Sequence, residues 1–202
     1  MSSIDSKSQN RVSAAILIWY ALAIFAGGAG LTLRMVPPMP QIILFGLVFF
    51  LFFLYLFFQS FRKWILSINI KLLVALHLTR FIGFYFLYLY SLDKLPYDFA
   101  VLGGWGDIIV AVAALLIILF VHLVGKSGWI ICSIWNLVGL VDILFVVATA
   151  ARLATVDPQS MSELLKLPLS LLPTFLVPII IFTHIIIFIR LRASIKSGYE
   201  SL

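Results

Sequence analysis

The sequence predicts an all-α protein, a polytopic transmembrane bundle of six helices. Of its 202 residues, 63% are hydrophobic and 11% are charged, whereas soluble domains carry about 25% charged residues. Six apolar runs approach the roughly 20 residues that a helix needs to cross a bilayer. They lie at about 13–33, 41–58, 72–92, 103–124, 129–151 and 168–189, and we expect them to form a single transmembrane domain, 1–202.

The first two spans carry no charge. The run 13–33 is longer than the roughly 7 to 15 apolar residues of a secretory signal, so we expect it to be retained as a helix. Three prolines in 36–40 predict a tight non-helical connection, because proline lacks the amide donor. The run 41–58 is rich in Phe and Leu, which is typical of a helix that faces lipid.

The third span is the least compatible with lipid, because His77 and Arg80 lie inside it. A guanidinium at this depth costs roughly 2.5 kcal/mol or more unless it faces protein or water and has a partner. At the helical repeat of about 100° per residue, His77, Arg80, Phe84 and Tyr88 fall on one face. We therefore expect a polar stripe along this helix.

The fourth span opens at Gly103-Gly104-Trp105-Gly106-Asp107. Asp107 suits a helix N-terminus, as a cap or as a first-turn acid. His122, near the other end of the same run, is expected at the membrane interface.

The fifth span carries Asn136, Gly139 and Asp142 on one broad face, together with Cys132. Since Cys132 is the only cysteine, no intramolecular disulfide can form. We expect this face to point into the bundle.

The sixth span contains two internal prolines and a histidine. Pro173 and Pro178 cannot donate a backbone hydrogen bond, so the carbonyls of Leu169 and Thr174 lose their usual partners. This predicts a kinked helix ahead of His184.

The distribution of basic residues predicts that both termini are cytoplasmic. In this orientation the cytoplasmic segments hold 9 Lys and Arg residues and the outer loops hold 4, with the intramembrane Arg80 excluded. The net charge of +6 is explained in the same way, so it gives no indication of nucleic-acid binding.

Helical depths indicate which polar groups can meet. At a helical rise of about 1.5 Å per residue, the side chain of Arg80 can reach Asp142. Asp107 lies closer to the outer surface, at the limit of that reach. His77 and His184 lie at similar depth nearer the cytoplasmic side. We therefore expect an Arg80–Asp142 pair and two half-sites, an acidic outer one and an imidazole-bearing inner one.

Three functional interpretations remain open. In the first, Arg80, Asp107, Asn136 and Asp142 form a ligand site or proton pathway in a transporter-like or small-ligand-binding protein. In the second, His77 and His184 ligate a b-type haem or a metal in a redox subunit. In the third, the same groups fix helix packing in a structural subunit of a membrane complex.

Standard catalytic motifs are absent from the sequence. It contains no HExxH zinc motif, no GxSxG nucleophile elbow and no GxxxxGK[ST] phosphate loop. The sequence therefore favours a protein that is not an enzyme. The expected partners are the lipid bilayer, a small ligand of unknown chemistry, and further copies or subunits of a membrane complex.

Three segments carry a resemblance to a family: 104–107 (GWGD), 135–142 (WNLVGLVD), and 172–178 (LPTFLVP) followed by His184. Over roughly 72–190 the chain resembles an uncharacterised family of bacterial six-span integral membrane proteins. The resemblance implies a multi-pass protein of the bacterial cytoplasmic membrane, and it implies no activity and no catalytic residue.

Overall fold

The computed structural model describes residues 6–121 and 125–196, so His122 and its expected interfacial position lie outside the described residues. Within these ranges the chain is helical and has no strand. Six helical segments are long and apolar enough to cross a membrane. The predicted all-α fold with six spans is confirmed, with segments Gln9–Gly28, Met39–Phe57, Ile70–Ser91, Asp98–Phe120, Gly125–Val156 and Leu172–Ala193.

The first helix, α1, covers Ser6–Gly28 and ends earlier than predicted. Glycines terminate it, and Gly30 adopts a φ of +69°, a conformation that other residues rarely take. A 3₁₀ turn, Thr32–Arg34, leads through the proline-rich connection into α2, Met39–Phe57. A short amphipathic helix, α3, follows at Gln59–Ser67.

The third span is not a continuous α-helix. It consists of α4, Ile70–Leu76, a 3₁₀ segment, His77–Ile82, and α5, Gly83–Ser91. A 3₁₀ helix has three residues per turn, so the same face returns at every third position. The buried positions His77, Arg80 and Gly83 follow this spacing, and Phe86 and Leu89 continue the buried face in α5.

The predicted polar stripe on this span is therefore only half correct. His77 and Arg80 are buried, but Phe84 and Tyr88 are 54% and 57% exposed. The prediction assumed a uniform α-helical repeat, and the 3₁₀ segment rotates the inward face away from Phe84 and Tyr88.

The fourth span begins before the predicted start. A π-helical turn, Asp98–Gly103, runs directly into α6, Gly104–Phe120. Asp107 thus lies inside a continuous helical segment, and no side-chain cap is formed at the start of α6. The cap interpretation of Asp107 is wrong, whereas the alternative, an acid in the first turn of the helix, is confirmed.

The last two spans are α7, Gly125–Val156, and a segment made of a π-helical turn, Leu172–Leu176, and α8, Val177–Lys196. A 3₁₀ segment, Pro158–Leu165, precedes the π-helical turn. The carbonyl of Thr174 accepts a hydrogen bond from Trp19 Nε1 at 2.9 Å. The carbonyl of Leu169 accepts from the backbone N–H of Leu172 at 2.9 Å. Both carbonyls opposite the prolines thus have partners outside the regular α-helical pattern.

The sixth span forms the centre of the bundle and α1 forms its edge. Among the most apolar 18 residues of the sixth span, 56% are buried, whereas the corresponding share in the first span is 6%. Helix α8 packs against α2, α4 and α7, while α1 contacts α3 and the π-helical turn 172–176. The polar residues of interest belong to spans three to six, around this centre.

Candidate functional site

Arg80 lies at the centre of a buried ionic cluster. Its side chain is 1% exposed, and its Nε donates to Asp107 Oδ1 at 2.6 Å. Nη1 donates to the carbonyl of Gly139 at 2.8 Å, and Nη2 donates to Asp142 Oδ2. All three guanidinium nitrogens therefore have a partner on α6 or α7. We call Arg80, Asp107 and Asp142 the ion triad.

The expected contact between Arg80 and Asp142 is present, and Asp107, which was expected at the limit of reach, contacts Arg80 as well. Arg80 sits in the 3₁₀ segment, where the rise is about 2.0 Å per residue compared with about 1.5 Å in an α-helix. The segment therefore carries Arg80 further towards the end of the membrane at which Asp107 lies.

Glycines let the helices of the ion triad approach closely. A Cβ atom on Gly104 would lie 3.0 Å from the carbonyl oxygen of Gly83, and one on Gly83 would overlap the carbonyl oxygen of Gly104. A Cβ atom on Gly106 would occupy the position of Asp142 Oδ1. Small residues at such crossings allow backbones to come together within a membrane. The glycines of 103–107 therefore help to place α6 against α5 and α7.

Two histidines lie next to the ion triad. His184 Nδ1 is 2.8 Å from Asn136 Oδ1, and Asn136 Nδ2 donates to the carbonyl of His184 at 2.8 Å. Since an amide oxygen only accepts, Nδ1 of His184 carries the proton. His77 Nε2 lies 3.4 Å from Thr183 Oγ1, which itself donates to the carbonyl of Ile180 at 3.0 Å. His77 therefore donates to Thr183.

The remaining nitrogens of these rings, His77 Nδ1 and His184 Nε2, have no hydrogen-bond partner among the described residues. Each ring thus has one N–H with an acceptor and one nitrogen with none, which is the pattern of an uncharged imidazole. Trp135 packs on His77 with ring centroids 5.1 Å apart, and both histidines are 0% exposed.

The histidine pair does not fit a haem. An iron with one imidazole on each side holds the two ring centroids about 6 Å apart, given metal–nitrogen bonds of about 2 Å. The ring centroids of His77 and His184 are 4.2 Å apart. No porphyrin fits between rings this close, so the placement of the two histidines does not support the haem interpretation. In the part of the chain that the structure describes, no three His, Cys, Asp or Glu side chains are grouped to hold a metal ion.

The two expected half-sites are one continuous polar column. Gly139 joins them, because its carbonyl binds Arg80 and a Cβ atom on it would lie 2.8 Å from His184 Cε1. The structure thus brings together all six residues singled out in the sequence. Thr183 was missed, although it lies beside His184 in the sequence and at similar depth to His77.

A cavity of about 260 Å³ ends at the ion triad. Arg80 and Asp107 line it, and the other walls are mainly apolar side chains from spans two to six. The connections 33–41 and 158–165 line its opposite end, where they link α1 to α2 and α7 to the sixth span. Gln41, also in the wall, has a buried Oε1 with no hydrogen-bond partner in the described part of the chain. The cavity therefore combines a long apolar wall with one charged end.

All three irregular stretches of the spans line this cavity. The 3₁₀ segment 77–82, the π-helical turn 98–103 and the π-helical turn 172–176 each contribute side chains to its wall. Within the membrane, irregular backbone is tolerated where it is buried in protein or lines a cavity, and π-helical turns are frequent at functional sites. The contributed side chains are Thr79, Arg80, Ile82, Phe99, Leu172, Pro173 and Leu176.

Comparison with known families shows which family the chain belongs to. The family described as Domain of unknown function (DUF8737) matches residues 37–192. This range includes the ion triad, both histidines and spans two to six, whereas α1 precedes it. No curated protein and no solved structure matches the chain.

Proposed function

We propose that this chain, which belongs to the DUF8737 family, is a multi-pass membrane protein that binds a small molecule in its cavity, as a transporter or a ligand-binding protein does. The observation that carries the proposal is the cavity of about 260 Å³ with Arg80 and Asp107 at one end. Ligand sites are typically concave and mainly apolar, with a few polar groups that orient the ligand.

The packing around Arg80 favours a binding site over a purely structural ion pair. Ionisable residues within membrane helices commonly mark ligand or ion pathways. A pair that only fixes helix packing needs no open space beside it, yet the cavity reaches Arg80 and Asp107. Ile143 and Val147 form part of the wall next to the ion triad, so a bound molecule would contact both apolar and charged groups.

The proposal gives each polar residue a role. Arg80 and Asp107 contact the polar group of the ligand, and Asp142 holds the far side of the guanidinium. Asn136 fixes His184 through two hydrogen bonds, which extends the polar column beyond Gly139 as a proton pathway.

The proposed orientation has both termini in the cytoplasm of a bacterium, in the cytoplasmic membrane. It rests on the 9 to 4 excess of basic residues and on the resemblance to bacterial six-span proteins. In this orientation the connections 33–41 and 158–165 face the outside of the cell, and the cavity extends inward from them.

A cavity-filling variant with a matched control tests the proposal. Val147 lines the cavity and is 9% exposed, while Val141 on the same helix is 59% exposed and does not line it. Thermal unfolding of the purified protein in detergent would be measured with a set of small aromatic and aliphatic amphiphiles. We expect some of them to stabilise the wild type and Val141→Phe but not Val147→Phe. If every compound affects the two variants equally, the proposal fails.

A further inference from the structure

The charges of the ion triad do not balance. One guanidinium contacts two carboxylates, so the cluster carries one excess negative charge when both acids are ionised. The described groups that face Asp107 are Arg80 from the third span and Asp142 from α7. His77 and His184 lie beyond Gly139 and have the hydrogen-bond pattern of uncharged rings.

Two other basic residues of the spans are bound elsewhere. Lys71 Nζ donates to the carbonyl of Ile118 at 2.9 Å, and Arg190 Nη1 donates to the carbonyl of Ile68. Both lie at the end of the bundle that carries the termini, away from the ion triad. The excess charge must therefore be neutralised by something that enters the cluster, because an unpaired charge within a membrane is costly.

Two kinds of partner can neutralise it: a proton on one carboxylate, or a cation bound from the cavity. Asp107 lines the cavity, so a cation there can reach its carboxylate. Phe86 and Phe99 line the same cavity, with ring centroids 5.0 Å apart. The faces of aromatic rings attract organic cations, and quaternary ammonium groups are commonly bound in this way.

We propose that the cavity binds an amphipathic organic cation in exchange for one proton of the ion triad, an inference that rests on the proposed function of the cavity. Before binding, Asp107 and Asp142 share one proton and the cluster is neutral. As the cation binds at Asp107, the O–H bond of the carboxylic acid breaks and its proton leaves to water. The cluster is again neutral, and no electrons are transferred.

Two probes of similar size but opposite charge test this exchange. Benzyltrimethylammonium and benzylsulfonate each join one aromatic ring to a compact charged group. Their binding to the purified full chain in detergent would be measured by calorimetry at one pH in two buffers with different heats of ionisation. We expect the cation to bind at least about tenfold more tightly than the anion and to release up to one proton. Its affinity should then rise by up to about tenfold per pH unit, the limit for exchange of one proton.

Two variants test whether Asp107 is the residue at which the cation replaces the proton. Asp107→Asn leaves one guanidinium and one carboxylate, so proton release and the preference for the cation should both disappear. Asp98→Asn is the control, because Asp98 is a half-exposed carboxylate paired with Arg152 at the edge of the bundle. If Asp107→Asn does not fold, the measurement of the wild type in two buffers still decides whether cation binding releases a proton.

The outcomes separate this inference from the proposed function. Tighter binding of the anion, equal binding of both ions, or cation binding without proton release overturns the exchange but leaves the cavity as a ligand site. If neither probe binds, the exchange is overturned, and the amphiphile comparison of Val147→Phe with Val141→Phe decides separately whether the cavity binds ligands at all.

Discussion

Arg80 and Asp142 are joined by an ion pair inside the membrane-spanning part of the protein, although 62 residues separate them along the chain. The pair links the third span to α7, and Asp107 adds α6 to the same cluster. Three of the six spans thus share one charged group, which makes the stability of the bundle sensitive to changes at Arg80.

The first prediction concerns the contacts of Arg80 with both carboxylates. Arg80→Leu should destabilise the protein by about 3–5 kcal/mol, because it leaves the buried Asp107 and the partly buried Asp142 without their partner. Asp142→Leu should cost less, since Arg80 and Asp107 remain as a neutral pair. The double variant should lose clearly less than the sum of the two single changes, as measured by unfolding in SDS titrations. Strict additivity would contradict the coupling, with Asp98→Leu as the control for a half-exposed acid.

The second prediction concerns the close contact of α6 with α7. Gly106→Ala should displace the carboxylate of Asp142 from Arg80, because the new Cβ atom would occupy the position of Oδ1. Overpacking of this kind costs about 1–3 kcal/mol. Gly46→Ala is the matched control, since a Cβ atom on Gly46 has no neighbour within 4 Å. Equal melting temperatures of the two variants would refute the contact.

The third prediction concerns the hydrogen bonds of His184. Asn136→Leu leaves the Nδ1 proton of His184 without its acceptor and removes a second hydrogen bond to the His184 carbonyl, at a cost of about 1–3 kcal/mol. Asn10→Leu changes an exposed amide on α1 and should have little effect. Thermal unfolding in detergent would compare the two, and a loss in Asn136→Leu no larger than that in the control would contradict the assigned role.

The fourth prediction concerns orientation. Reporter fusions after Lys196 and after Lys71 should give cytoplasmic signals, whereas a fusion after Lys94 should report from outside, because basic residues are concentrated on the cytoplasmic side. A fusion within the fifth connection, after Gln159, should agree with the fusion after Lys94. An external signal after Lys196 would reverse the orientation and place the cavity mouth in the cytoplasm.

The sequence predicted the features that depend on hydrophobic length and on depth. Apolar runs revealed the spans because a helix must cross the whole hydrocarbon layer, and depth alone placed Arg80 near Asp142. Asp107 was misjudged because no proline or glycine in 76–82 marks the change from α to 3₁₀ geometry.

The cavity could not be predicted, because its wall consists of the same residue types as the lipid-facing surface. Val147 lines the cavity while Val141 faces outward, and the two valines are interchangeable in any hydropathy pattern. Only the packing of several spans against one another distinguishes them.

The hydrogen bond from Trp19 to the carbonyl of Thr174 spans 155 residues and has a consequence for biogenesis. Pro178 leaves that carbonyl without its usual helical donor, and Trp19 of α1 supplies the missing hydrogen bond. This contact of α1 with the π-helical turn 172–176 therefore forms only after the sixth span has been synthesised. During assembly, it closes late.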